Sequence, residues 1–124
     1  MGYLPTIPAQ PCQALTDAAK LLPATYEPVN PAVHNAASTD VGDLSHRMPI
    51  VNFTYGGFSG TLHGADFRIT DKEKAYLYPA KLAALTLYRL LCDHAAQAKA
   101  LLSDFHPAMT AEEYRAYAHK FGCQ

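Results

Sequence analysis

The sequence predicts a partial α/β fold, mostly helical, with one or two strands and long loops. Three observations predict it. One long stretch, residues 74–103, repeats apolar side chains at helical spacing. A single segment, residues 49–55, alternates as a strand does. Proline- and glycine-rich segments separate the periodic ones. One or two strands do not make an independent sheet, so the pattern reads as the edge of an α/β domain whose other strands lie elsewhere.

Residues 3–11, YLPTIPAQP, read as an extended connector, because each proline fixes φ and blocks ladder pairing. Residues 12–22 place Leu15, Ala18, Ala19 and Leu22 at helical spacing, and Pro23 ends the helix. Residues 23–37 are proline-punctuated and irregular. Residues 38–48 read as a polar loop with Gly42 as its hinge point, followed by the strand at 49–55 and a glycine-rich loop at 56–64. Thr70 and Asp71 offer a helix N-cap, with Glu73 close behind. In the long helix Pro79 fits the first turn, where its missing N–H costs little. Ala80, Ala83, Ala84, Leu87, Leu90 and Leu91 form its stripe, widened by Leu82, Leu85 and Tyr88. A helix so broadly apolar is expected to be covered on more than one side. Thr110 caps a last helix that Gly122 stops, so residues 104–124 read as a helical tail.

With 124 residues the chain holds one domain at most. It is 49% hydrophobic and 17% charged, few charges for a fully solvated surface, which favours contact with another domain or chain, including a homo-oligomer. Ten Lys plus Arg face eleven Asp plus Glu with no basic run, so nucleic acid is not an expected partner. No apolar run reaches the roughly 18 residues of a membrane span, and the N-terminus lacks a charged segment followed by an apolar one, so no signal peptide is expected. Cys12, Cys92 and Cys123 form neither a disulfide framework nor a zinc knuckle. Reduced thiols and a cytoplasmic location follow as expectations.

His63 is the main candidate for chemistry. It lies between Gly60 and Gly64, where the backbone can bend and a side chain can reach a ligand. It reads either as a metal ligand, oriented by Asp66 or a carbonyl, or as an exposed loop histidine. Asp40 and Asp43 flank Gly42, and with Ser38 and Thr39 they read either as walls of a substrate pocket or as turn residues bonding their own backbone. Arg47 pairs with Asp43 or a substrate carboxylate, or is solvent-exposed; the exposed reading is the simpler one. His34, His94, His106 and His119 show no metal spacing and read as surface residues. Cys92 reads as a buried inert thiol, and Tyr76, Tyr78 and Tyr88 as packing residues.

Four stretches occur in order: GYLP at 2–5, STDVGDLSHRMP at 38–49, GTLHGADFR at 60–68 and AYLYPAKLAALTLYRLL at 75–91. Together they resemble the C-terminal part of amidohydrolases of the di-zinc aminoacylase/carboxypeptidase superfamily, nearest to its p-aminobenzoyl-glutamate hydrolase and Xaa-dipeptidase-like branch. The resemblance covers residues 2–102. It implies that residues 1–11 are the return from an inserted lid domain and that residues 12–103 close an α/β catalytic domain. It places the final zinc ligand on His63 and sets Ser38, Thr39 and Asp40 beside the substrate pocket. The other ligands, the bridging carboxylate and the glutamate base belong to a preceding part that these motifs do not include. The implied activity is zinc-dependent hydrolysis of an amide bond in an N-acyl amino acid or dipeptide. The chain by itself is expected to be inactive, and the implied partner is the missing N-terminal catalytic part or another chain supplying it. The alternative class is a non-enzymatic helical module that binds protein through its long apolar helix.

Overall fold

Helix α1, Gln13–Ala19, forms where small and straight-chain residues follow an extended Cys12, whose carbonyl accepts the Thr16 amide at 3.1 Å and the Thr16 hydroxyl at 3.3 Å. Its Ala14, Leu15, Ala18 and Ala19 are buried, the one-sided spacing of an amphipathic helix. The computed structural model describes residues 11–23 and 41–120. The connector before residue 11, the segment 24–37, Ser38, Thr39, Asp40, Gly122 and Cys123 therefore lie outside the described residues.

The described chain is mostly helical, with one small antiparallel sheet. In order it runs α1, α2 (Val41–Ser45), β1 (Phe58–Ser59), β2 (Arg68–Ile69), a π-helical turn (Glu73–Leu77), α3 (Tyr78–Ser103) and α4 (Ala111–Lys120). These residues fall into two compact units. One holds α1, the β1–β2 hairpin and α3 as far as Ala98; the other holds α2, the segment after it to Asn52, and the chain from Lys99 onward. Among the described residues no helix is long and apolar enough to cross a membrane.

Residues 41–45 correct the loop expected at 38–48: they are the short helix α2. The Ser45 hydroxyl donates to the Gly42 carbonyl at 2.6 Å, and Asp43 stands in the first turn, where the exposed amides favour a carboxylate. Gly42 is buried within α2 rather than a loop hinge. Arg47 is half-buried rather than exposed, and its guanidinium donates to the Met109 carbonyl within the same unit.

The expected strand at 49–55 is also corrected. Those residues are irregular, and the pairing falls later, Phe58 with Ile69 and Ser59 with Arg68. A strand needs a partner, and β-branched alternation does not supply one. The pairing is set instead by Gly57 and Gly60, at φ +94° and +97°, which only glycine adopts without strain. The loop expected at 56–64 accordingly contains β1.

Asp71 caps the next helical segment, its carboxylate accepting the Lys74 amide at 3.1 Å, with the Lys74 ammonium 3.3 Å away. These contacts, led by the amide, hold the Asp71 carboxyl below its ordinary range. Pro79 does sit in the first turn of α3. It has no N–H for the Ala75 carbonyl four residues back, and its ring crowds that carbonyl. The preceding turn widens accordingly, with the Tyr78 amide reaching back to the Glu73 carbonyl.

Helix α3 departs from expectation twice. First, it is broken. Cys92 is extended (φ −63°, ψ 166°), and Asp93, His94 and Ala95 are all left-handed, with φ of 52°, 56° and 59°. Cys92 is half-buried rather than buried, and its thiol donates to the Arg89 carbonyl at 3.2 Å. Second, most of the expected stripe faces solvent, although Leu85 and Leu90 are half-buried and Leu82 is buried. The buried positions are Leu82 and Thr86, in line with Ala75 of the preceding turn. Leu87, Tyr88 and Leu91 are 57%, 70% and 58% exposed, and Ala80, Ala83 and Ala84 are exposed with them. Tyr76 is exposed too. The buried side is the narrow one because Ala75, Leu82 and Thr86 fall within one stripe about a hundred degrees wide.

Helix α4 begins with a reciprocal cap. The Thr110 amide donates to a Glu113 carboxylate oxygen at 2.7 Å, and the Glu113 amide donates to the Thr110 hydroxyl at 3.2 Å. The Thr110 amide bond, and after it the Thr110 side chain, lower the Glu113 pKa from its ordinary 4.5. A carboxyl depressed in the folded state stabilises above its unfolded pKa and loses that contribution as pH falls through the folded one. Helicity of residues 111–120 is therefore expected to drop below about pH 4.5, and Glu113→Gln is expected to flatten that part of the titration. Amide chemical shifts of α4 followed from pH 7 to 3 check this; an identical acid transition in the variant would count against the cap.

Candidate functional site

The candidate site is the loop joining β1 to β2. Gly60, at φ +97°, starts it, and a Cβ there would overlap the Asp66 carbonyl. The Gly64 amide then closes a turn onto the Thr61 carbonyl at 2.7 Å, and the Phe67 amide bonds the Gly64 carbonyl at 3.2 Å. Both oxygens of Asp66 accept from the Thr61 amide, at 3.2 and 3.1 Å. A Cβ at Gly64 would come within 2.6 Å of an Asp66 oxygen. Two glycines and one aspartate thus fold the loop back on itself, and each is needed for a distinct steric or bonding reason.

His63 stands at the tip. It is exposed and holds φ +64°, a left-handed conformation costing a non-glycine residue roughly 1–2 kcal/mol. The surrounding turn enforces that conformation, and it points to a positioned residue more than to a freely moving one. The Asp66 carboxylate, a candidate for orienting the ring, accepts the Thr61 amide on both oxygens.

Under the loop lies an aromatic group that sequence reading passed over. Phe58 and Phe67 stack with centroids 5.3 Å apart and planes at 17°, and Tyr55 tilts against Phe58 at 5.6 Å. Tyr55 is 52% and Phe67 40% exposed. The signal was available: three aromatics bracket the glycine loop, with Phe58 among the paired residues and Phe67 next to them. Such pairs add about 0.5–1.5 kcal/mol beyond their buried area, and here they make the hairpin stiffer than two paired residues per strand could.

Other candidates scatter. Ser38, Thr39 and Asp40 lie outside the described residues. Asp43 and His46 belong to the α2 region of the other unit. His94 is exposed in the α3 break, and His106 and His119 are exposed elsewhere. Among the described residues no group of three or more His, Cys, Asp or Glu side chains could hold a metal ion. A catalytic zinc needs at least three protein ligands, so the described donor set, one imidazole, is too small for zinc by itself. Any further ligands have to come from outside these residues.

No family model matches this chain, and no curated protein or solved structure does so either.

Proposed function

We propose that this chain is the C-terminal part of a zinc-dependent amidohydrolase, inactive by itself, whose role is to deliver His63 as the last ligand of a two-metal centre. The observation that carries the reading is the presentation of His63: exposed, fixed left-handed, at the tip of a loop braced by Gly60, Gly64 and Asp66. It joins the four motifs in their order along the chain. The complementary part supplies the other ligands, the bridging carboxylate and the general base, and the bound metals supply the polarisation of the scissile carbonyl. Ser38, Thr39 and Asp40 shape the adjoining pocket in this reading. The substrate class is an N-acyl amino acid or dipeptide.

The test combines the chain with a folded N-terminal half of a p-aminobenzoyl-glutamate hydrolase-like enzyme. The mixture is assayed on dipeptides and p-aminobenzoyl-glutamate with and without zinc. Zinc-dependent hydrolysis absent from either part alone is expected. His63→Ala should lower it by at least about a hundred-fold, since loss of even an outer-shell partner costs 10–100-fold. A verified complex without zinc-dependent hydrolysis, or one indifferent to His63→Ala, overturns the reading.

A further inference from the structure

Helix α3 carries a second apolar stripe on the side away from its buried one. Leu77, Ala80, Ala84, Leu87 and Leu91 recur at spacings of three and four, and all five are exposed. Tyr88 lies beside them, 70% exposed. Between residues 76 and 91 the only exposed charge, among the described residues, is Lys81. A seam of this spacing is what one helix presents to another, and a stripe this long is more than the single scattered apolar residues of an ordinary surface.

We infer that this stripe pairs with the same stripe of a second copy of the chain, the two helices antiparallel about a two-fold axis at Ala84. The sequence is self-complementary in that arrangement. Leu77 meets Leu91 of the second copy, Ala80 meets Tyr88, and Ala84 meets Ala84. Small residues at the centre let the helices approach, and the large ones close the ends, each off-axis contact occurring twice as an isologous interface requires. Charge agrees. The stripe has no acidic side chain to be buried and no pair of like charges placed opposite one another. Lys81 lies next to the Tyr88 ring of the second copy, a partner for an ammonium. One lysine is too little for an anionic lipid surface, which attracts clusters of basic residues. The exposed side chains offer on the order of 600 Å² per copy, below the roughly 800 Å² of a standard interface. The dimer is accordingly weak. His63 plays no part in this pairing, so it stands or falls separately from the hydrolase reading.

Sedimentation equilibrium of the full chain from about 1 to 300 μM, the range in which a weak dimer dissociates, is expected to fit monomer and dimer. Ala84→Arg sets two guanidiniums against each other at the axis and is expected to raise the Kd about ten-fold or more. Position 84 is exposed, so its far-UV circular dichroism should match the parent's. Ala84→Cys under mild oxidation is expected to yield the tryptic peptide 82–89 joined to itself, a species none of the native cysteines can produce. A chain monomeric to the highest concentration overturns the inference and leaves the stripe to a different polypeptide. A dimer unmoved by Ala84→Arg, or cross-linked only through other cysteines, overturns it as well.

Discussion

Gly57→Ala is expected to cost the fold about 3 kcal/mol, read as a fall in the urea midpoint at unchanged slope. Two penalties combine. Gly57 sits at φ +94°, where any Cβ is strained. That Cβ would also stand 2.5 Å from the Asp71 carbonyl oxygen and 2.6 Å from the Ala75 nitrogen. Neither is a flexible side-chain end that can step aside. The Gly57 carbonyl accepts the Thr70 amide at 2.8 Å and the Asp71 amide at 3.2 Å, so any shift of the glycine breaks the link from hairpin to helix start. Gly56→Ala is the control: nothing lies within 4 Å of a Cβ there, and it should change stability by no more than about 0.5 kcal/mol. Equal effects at 56 and 57 would show that the close approach does not exist in solution.

Replacing Asp93, His94 and Ala95 together by glycine is expected to stabilise the chain, by about 2 kcal/mol in all. Each is left-handed, and glycine removes roughly 1–2 kcal/mol of strain per residue while giving back about half of that as unfolded-state freedom. Ala95 should gain most and Asp93 least, because a short polar side chain tolerates this region best. The sign decides the matter. In an uninterrupted right-handed helix the same three glycines would destabilise by about 1.5–2 kcal/mol, most of it at Ala95 because aspartate and histidine are poor helix formers already. A lowered urea midpoint for the triple variant would therefore mean a continuous helix from 78 to 103.

What was legible in the sequence is what local chemistry decides. Leu15, Ala18 and Ala19 mark α1, which ends at Ala19, short of the Leu22 that the spacing includes. Asp71 and Thr110 marked the starts of the later helices, because a side-chain oxygen satisfying free amides works within four residues of chain. What was not legible depends on partners. Residues 49–55 have strand composition, yet the pairing went to Phe58 and Ser59, where two positive-φ glycines shape the hairpin. The apolar positions of α3 are legible and their environment is not: periodicity says which side chains share a face, not what covers it. The break at residues 92–95 has no glycine or proline to announce it, since cysteine, aspartate, histidine and alanine all pass in a helix. At the candidate site, the glycines around His63 were visible signals. The claim of the Thr61 amide on Asp66 was not, because it joins residues five apart through a turn that exists only once folded.

The break in α3 has a consequence for how the chain opens. Helix formation is cooperative along an unbroken ladder of bonds, and isolated segments below about 12–15 residues are marginal in water. The interruption leaves the arms 78–91 and 96–103 without a shared ladder, so neither can recruit the other when it frays. Amides of the first arm are shielded mainly along the side of the buried Leu82 and Thr86, while those of the second open on their own terms. Hydrogen exchange along what sequence alone reads as one long rod is thus governed by two local equilibria, each with its own opening free energy.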